Sequence, residues 1–449
     1  MADRHVTTAD GPSRASLVGI YAAGGVLGGL AGATAAVLVT QAIKAILAVV
    51  TRQDTWVLLV VPLAGLALAV VILNGYARGS ALQTLLPEPV RRRSRWPGWR
   101  TSRDVIRADL TADVLATAGE EERFPWRLAP VRALAIVSTV GLGAPMGTES
   151  PAAHLGVAAG AWLGDRGRRW RGLARPAAVG GGAAGVSALI GNPLVGTAFL
   201  LELGRRRSVP FTAERVTAAL AGGLVGWGIN IAFGLDLIRL NAPDEEPEDL
   251  LEAVGTALLV GVVAGTITSL TGAAIYRARG WQGRPVFRLA VGGLCVLAAA
   301  AVIAVVATPA AAVGPGAGAA AWAETTGAAA FTVLAVALLR AAATTAAVAA
   351  GGCGGLFVPF LAIGDVAGRA FAPTFGLPSD LAGAAGAAGG IAGGYRLPVT
   401  AGVLVLGLGG GYTASLTCLA TVGVATVTAV VASVVLDRLR NPSSGGAVS

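Results

Sequence analysis

Charged side chains are scarce in this chain. Asp, Glu, Lys and Arg together make up 13% of its 449 residues, whereas roughly 25% is usual for a soluble domain. Hydrophobic residues make up 54%, and the mean hydropathy is +0.70. This composition excludes a water-soluble globular protein. Because several uncharged runs are far longer than a core helix, the chain is predicted to be an integral membrane protein.

Side chains that bind metals or form disulfides are also few. The chain has two histidines and three cysteines, and the cysteines are widely spaced within apolar sequence. These residues are His5, His154, Cys295, Cys353 and Cys418. They are too few for a metal centre of the usual nitrogen and sulfur kind, and their spacing does not suggest a disulfide framework.

Lysine is almost absent, since Lys44 is the only one, and the net charge of +9 comes from arginine. The arginines lie in short loops between apolar runs, which is typical of the cytoplasmic loops of membrane proteins. The basic balance therefore indicates membrane topology rather than binding to nucleic acid.

Uncharged runs predict the membrane-spanning segments. They are residues 15–43, 55–77, 216–235, 253–276, 289–323, 325–339 and 341–364, and the final run 397–436 is long enough for two or more helices. We expect a polar tail at 1–14, a first membrane repeat at 15–235 with a cytoplasmic insertion around 88–127, a second repeat at 236–439 and a tail at 440–449. No soluble regulatory domain is expected after the membrane part.

Some apolar segments are too short to cross a bilayer. Residues 133–148 and 150–164 are separated only by Glu149, and each is shorter than the ~20 residues that a spanning helix needs. Residues 176–201 lie between two basic loops, so they are predicted to enter and return as two half-depth helices broken at Gly191, Asn192 and Pro193. Interrupted helices are tolerated only where protein or a water-filled cavity covers their backbone, so they indicate a transport site.

The two halves of the chain share a pattern. Pro151 is followed by glycines at +5 and +9, and the same spacing follows Pro359, which lies 208 residues later. Asn192-Pro193 is echoed by Leu397-Pro398, which lies 205 residues further on. We interpret this as an internal duplication, which predicts a binding site at the bilayer midplane between two broken helices.

The start of a short buried helix exposes backbone N–H groups and the positive end of the helix dipole, so it binds anions. Glu149 lies at such a start, and an ionisable group in an apolar run is a candidate functional residue. A carboxylate there can occupy the anion site and leave it when protonated, which would make it both a gate and a proton carrier. The alternatives are ordinary packing helices and a structural pairing of Glu149 with a buried arginine.

These motifs resemble those of the CLC family of chloride channels and proton/anion exchangers. Residues 147–151 are similar to its Gly-Arg/Lys-Glu-Gly-Pro motif, 355–359 to its Gly-x-Phe-x-Pro motif, 185–202 to its segment that ends in a glutamate pair, and 79–80 to its Gly-Ser-Gly-Ile-Pro motif. The resemblance implies an all-α polytopic membrane protein, a CLC-like inverted-repeat bundle of tilted and broken helices.

By the same resemblance the protein is a homodimer in the plasma (inner) membrane, with inorganic anions, chloride first, and protons as its substrates. The resemblance also implies that no cofactor is needed and that the protein is not an enzyme. Glu149 and Glu202 are then the gating and proton-transfer residues. The implied anion-binding residues are Ser80, Gly147, Ser150, Gly355, Leu356, Phe357 and Val358.

The chain also departs from the family pattern. Thr148 and Ser150 replace the basic residue and the glycine beside the gate, and Leu203 replaces the second glutamate of the pair. Ala432 aligns with a pore-lining tyrosine, and Gly407 stands where a glutamate is common. A coupled exchanger and a passive anion channel therefore both stay open, as do fluoride and nitrate as substrates. An intramembrane hydrolase that uses Ser150 and His154 is a remote alternative, since these residues share a helix face.

Overall fold

A computed structural model describes residues 14–77, 124, 126–206, 209–234, 250–281, 283–372, 376–408 and 415–440. The first half holds helices α1 (Arg14–Val50), α2 (Thr55–Ala77), α3 (Ala129–Gly141), α4 (Glu149–Asp165), α5 (Ala174–Ile190), α6 (Pro193–Arg206) and α7 (Ala213–Phe233). The second half holds α8 (Leu250–Gly280), α9 (Pro285–Val306), α10 (Pro309–Ala312), α11 (Ala317–Thr325), α12 (Ala330–Ala350), α13 (Phe357–Arg369), α14 (Ser379–Tyr395), α15 (Pro398–Leu408) and α16 (Leu416–Arg440).

Eight helices of the described residues are long and apolar enough to cross a membrane. They are α1, α2, α7, α8, α9, α12, α16, and α5 together with the turn before it. Their outer surfaces carry large exposed apolar side chains, among them Leu38, Val71, Leu294 and Val427, as lipid-facing helices must. The protein is therefore a multi-pass integral membrane protein, as its composition predicts.

The breaks in the helices fall close to where the sequence places them. Gly191 separates α5 from α6 and has a left-handed φ of 74°, a conformation that glycine adopts without a steric cost. With 14 residues, α6 is too short for a full span. The 17 residues of α5 reach that length only together with the turn before it. The final apolar run holds α15 and α16, so it does contain two helices.

The expected division at Arg340 is wrong. Residues 325–339 and 341–364 are not two spans, because α12 runs through Arg340 without interruption and α13 follows as a separate short helix. The guanidinium stays in the middle of the helix because it donates hydrogen bonds to the backbone oxygens of Ala311, Ala312 and Gly314. The expected single run 289–323 is also divided, into α9, α10 and part of α11.

The two halves are built in the same way. In the first half, α5 is the central helix, and it contacts α1, α4, α6 and α7. In the second half, α14 is central, and it contacts α8, α13, α15 and α16. Both central helices have 17 residues and are buried along nearly all of their length. This agreement confirms the inverted-repeat bundle expected from the sequence.

Small residues let the helices of each half approach closely. A Cβ atom at Gly156 in α4 would collide with the backbone of Gly181 in α5, and one at Gly364 in α13 would collide with Gly386 in α14. Larger side chains would hold these helices further apart and weaken the van der Waals contacts between them. Because lipid provides no hydrophobic driving force for helix association, interfaces between membrane helices are enriched in small residues. The glycines after each proline motif thus fix how the two broken helices lie in their halves.

Candidate functional site

The two proline motifs meet in the middle of the molecule. The N–H of Gly147 donates to the oxygen of Gly355 over 2.8 Å, and the N–H of Gly355 donates back to Gly147 over 2.7 Å. This pair of hydrogen bonds is an isolated antiparallel bridge between the two halves. Because α4 begins two residues after Gly147 and α13 begins two residues after Gly355, both helix starts are held at one place.

Both helix starts present backbone N–H groups to this place. The first N–H groups with partners inside their own helices are those of Ala152 and Phe360, and each is preceded by a proline, which has no N–H. The N–H groups of Glu149, Ser150, Phe357 and Val358 therefore remain at the ends of the two helices. No side-chain hydrogen bond caps either helix at its N-cap residue. The amides and the two helix dipoles together favour an anion between the helices.

Glu149 supplies that negative charge. Its side chain is 2% exposed, and backbone N–H groups of Thr148, Glu149 itself and Val358 face its carboxylate. The hydroxyl of Thr148 donates to Oε1 over 3.0 Å, whereas Oε2 is buried without a hydrogen-bond partner. The groups that contact this carboxylate in the described part of the chain include no arginine. The geometry thus favours a carboxylate that occupies an amide-lined anion site over a structural ion pair.

Aromatic side chains form one wall beside this point. The ring of Phe357 lies 5.6 Å from the ring of Phe199 on α6 and 5.9 Å from the ring of Tyr395, and Tyr395 also lies 5.4 Å from Phe360. All four side chains are buried. We call Phe199, Phe357, Phe360 and Tyr395 the aromatic cluster. It brings residues from α6, α13 and α14 together and keeps the surroundings of the anion site apolar.

Ser150 and His154 lie on the same side of α4, as their spacing predicts, but they have different partners. The hydroxyl of Ser150 lies 3.4 Å from the hydroxyl of Tyr395. The Nε2 atom of His154 lies 3.3 Å from Nη1 of Arg132, and its ring packs against Phe124. Because an arginine occupies Nε2 and a tyrosine faces the serine, the arrangement does not favour a serine nucleophile activated by His154.

Glu202 lies away from Glu149, at the start of α15. Its carboxylate accepts hydrogen bonds from the N–H groups of Val399 and Thr400 over 2.9 and 2.7 Å and from the Thr400 hydroxyl over 2.5 Å. It therefore caps a helix of the second half from a helix of the first. Leu203, its neighbour, is 1% exposed. The sequence predicts a proton-transfer role for Glu202, and the contacts show that both of its oxygens already have donors.

The remaining sequence-predicted residues divide into two groups. The bridge and the two helix starts bring the first group together around Glu149. This group consists of Gly147, Ser150, Gly355, Leu356, Phe357 and Val358. Ser80, most of the insertion at 88–127 and the boundary between the repeats lie outside the described residues.

Ala432 lies on α16, which packs mainly on α8, α14 and α15. A side chain at Gly407 would collide with Asn192, which explains the glycine there.

Sequence reasoning missed Tyr395, Thr148 as a donor to Glu149, and the role of Arg340. Tyr395 is 245 residues from Ser150, so no local pattern could join them. Its place at the end of the helix before Pro398, in a chain with only five tyrosines, was the one available signal.

The fold and the site together define a class of membrane protein: an inverted repeat of spanning and interrupted helices in which two short helices begin at a buried carboxylate. Comparison with known proteins identifies the family. The model of the voltage gated chloride channel family matches residues 107–430, and the chain belongs to this family, the CLC family expected from its motifs.

Two kinds of relatives are similar to the chain. The H(+)/Cl(-) exchange transporters ClcA of Yersinia pestis and of Yersinia pseudotuberculosis serotype O:3 are each 25% identical over 300 residues, which span 63% of this chain and 60% of each relative. A slow cyanobacterial Cl-/H+ antiporter matches with a TM-score of 0.67 and 18% identity, over 95% of this chain and 99% of that one. A CLC-type fluoride/proton antiporter matches with a TM-score of 0.68 and 20% identity, over 94% and 97%. The relatives are named as transporters and not as enzymes.

Proposed function

We propose that the protein transports chloride across the plasma membrane in exchange for protons, through the place where α4 and α13 begin. The observation that carries this proposal is the Gly147–Gly355 bridge, because it holds the free amides of two helices around one carboxylate. Backbone amides bind an anion without a full positive charge, so they permit release as well as binding. The exchanger names of its relatives support the choice of chloride and protons.

In this proposal Glu149 is the gate. While it is ionised, its carboxylate occupies the amide-lined site and excludes an external anion. When it is protonated it loses its attraction for the amides, so an anion can take its place. The same side chain then moves a proton in exchange for the anions that pass. We propose that the anion path is lined by Gly147, Ser150, Gly355, Leu356, Phe357 and Val358. Ser80 stays a predicted ligand.

Passive conduction is the second candidate, and Leu203 is the observation that favours it. A leucine that is 1% exposed cannot transfer a proton, and Glu202 beside it is committed to the start of α15. If no other group delivers protons to Glu149, anions would move without them. The two candidates differ in one measurable quantity, the number of protons moved per anion.

The test is transport by the purified protein in liposomes, with the anion and the internal pH recorded together under a set anion gradient. Chloride, fluoride and nitrate are compared in parallel. The wild-type protein is expected to move chloride and to drive protons against their gradient, and passive conduction would give chloride flux alone. No flux of any anion would refute the transport proposal.

Glu149→Gln tests the gate. Glutamine resembles the protonated glutamate but cannot carry a proton, so we expect anion flux to continue while proton flux is lost. Glu252→Gln is the matched control, because Glu252 is exposed at the start of α8 and should leave both fluxes unchanged. Proton flux at the wild-type rate in Glu149→Gln would show that Glu149 is not the proton carrier.

We also propose that the protein is a homodimer, as the family resemblance implies. Its mass in detergent, measured by light scattering, is expected to be twice that of one chain.

A further inference from the structure

Arginine and tryptophan residues come together where α4 ends and α5 begins. The stretch 165–175 holds five arginines and one aspartate. It consists of the end of α4, a 3₁₀ turn at Arg168–Leu173 and the first residues of α5. The turn packs on α1, α4 and α5, so the three helices fix its position at the end of the bundle.

This stretch lies at the surface of the bilayer. The membrane span that includes α5 begins at Trp170, so the arginines flank the point where the chain enters the membrane. Short basic loops stay on the cytoplasmic side. The basic loop between α8 and α9 lies on the same side, because α5 and α6 enter and return while α7 and α8 cross out and back.

Three tryptophans accompany the arginines. Trp162 is half-buried near the end of α4, and Trp170 in the turn is 38% exposed. Trp126, just before α3, donates its indole N–H to the carboxylate of Asp165 over 2.8 Å. Tryptophan is enriched at membrane interfaces, since its ring is apolar and its N–H is polar.

Two of the arginines are open to a ligand. The guanidinium carbon of Arg166 lies 4.1 Å from the centroid of the Trp162 ring. Such stacking covers the face of the guanidinium and leaves the N–H groups at its edge for an acceptor in its plane. Arg171 is exposed in the turn. Within the described residues neither arginine forms an ion pair, and Asp165 already accepts a hydrogen bond from Trp126.

We call Trp126, Trp162, Trp170, Arg166 and Arg171 the interfacial patch. An anionic phospholipid fits both kinds of side chain in it. Phosphate oxygens match the donors of a guanidinium, and tryptophan rings pack at the level of the headgroups. The cytoplasmic leaflet carries anionic lipids, which attract arginines near its surface. A free phosphate ion would use the arginines but would gain nothing from the tryptophan rings.

We propose that the interfacial patch binds the headgroup of an anionic phospholipid in the cytoplasmic leaflet. Arg166 and Arg171 bind the phosphate, and the rings of Trp162 and Trp170 pack beside the glycerol and the upper acyl chains. Trp162 belongs to α4, the helix that begins at Glu149. The bound lipid therefore holds the outer end of the helix whose start carries the candidate gate.

Thermal unfolding of the purified protein in a neutral detergent tests this proposal, with phosphatidylglycerol as the probe. The lipid is expected to raise the melting temperature, because it binds the folded protein. The lipid concentration that gives half of this rise measures the affinity. Arg166→Gln and Arg171→Gln should each increase that concentration about fivefold, and the double variant should increase it about thirtyfold.

The matched control is the double variant Arg277→Gln, Arg284→Gln, which removes two exposed arginines from the other cytoplasmic loop. It should respond to phosphatidylglycerol as the wild type does, and an equal loss of response would overturn the patch in favour of general attraction to a basic surface. Because Arg166 and Arg171 are exposed, their double variant should melt like the wild type without lipid. If it melts lower, Arg171→Gln alone decides.

Three other lipid or anion probes distinguish the possible ligands. No rise with phosphatidylglycerol, or an equal rise with phosphatidylcholine, would overturn the proposal, because anionic charge would then play no part. An equal rise with inorganic phosphate would assign the arginines to a soluble anion, and an equal rise with poly-glutamate would assign them to an acidic protein. Either result would overturn the assignment to lipid. The melting assay measures no transport, so its outcome is independent of the proposed function.

Discussion

Replacement of Arg340 by methionine tests how this protein tolerates a charge in the middle of a membrane helix. Arg340 is 1% exposed, and it donates to the oxygens of Ala311, Ala312 and Gly314 over 3.3, 3.2 and 2.7 Å. These are the carbonyl groups at the end of α10, a helix of four residues. The guanidinium therefore takes the place of the backbone partners that the next turn of a longer helix would supply.

The magnitude follows from the three oxygens. Each buried carbonyl that loses its donor costs about 1–3 kcal/mol, so three cost roughly 3–9 kcal/mol. Removal of a buried charge recovers several kcal/mol of desolvation free energy, which offsets part of this cost. We expect a net loss of about 3 kcal/mol for Arg340→Met. Arg340→Lys keeps the charge but not the planar fork of donors, so it should lose less.

The effect should reach the gate. The N–H of Gly314 donates to the oxygen of Gly143 over 2.7 Å, and Gly143 lies in the loop that leads to Gly147 and Glu149. If the segment around residue 314 loosens, this loop loses a support, and transport is expected to fall in folded Arg340→Met.

Thermal unfolding of the purified protein in detergent measures the first effect, and the liposome assay measures the second. Arg52→Met is the control, since Arg52 is exposed after the end of α1. The expected order of melting temperatures is wild type, then Lys, then Met. Equal melting of Arg340→Met and wild type would refute the reasoning, because it would mean that three buried carbonyl groups lose their donors without cost.

Three further predictions concern the site and its supports. Thr148→Val removes the hydroxyl that donates to Glu149, so the closed gate should lose about 1 kcal/mol of stabilisation. Anion flux at neutral pH should then rise several-fold in the liposome assay, and equal flux in Thr148→Val and the wild type would contradict this. Glu202→Gln replaces a carboxylate that accepts three hydrogen bonds at a helix start, so stability should fall by about 1–2 kcal/mol in thermal unfolding, and an unchanged melting temperature would show that the cap contributes little. Gly156→Val places a side chain against the backbone of Gly181, so the helices must separate and the yield of folded protein in size-exclusion chromatography should fall sharply; a wild-type yield would show that this contact can relax.

Much of the fold could be predicted because it depends on local composition. The bounds of α2 agree with the uncharged run at 55–77, and the break between α5 and α6 falls at the predicted Gly191. A run without charges must be helical in a bilayer, since its backbone has no other partners there. The same rule failed at Arg340, because a charge ends an apolar run in the sequence but does not end a helix when carbonyl oxygens of another segment surround it.

The candidate gate could also be predicted, because Glu149 is unusual within its own segment. The partners of the other polar groups could not. Glu202 was expected to move protons, and it accepts hydrogen bonds from a helix start that lies nearly two hundred residues away in sequence.

By itself, the sequence determined that this is a membrane protein of two related halves, with short helices that begin at proline motifs and one acidic residue at such a start. These properties reside in hydropathy, spacing and repeated glycines, which act within one helix or one turn. Only the tertiary structure decided that Gly147 pairs with Gly355, that Tyr395 faces Ser150 and that Arg340 holds the end of α10. Such pairs join distant parts of the chain, and close packing of the two halves selects them, so no local pattern could have specified them.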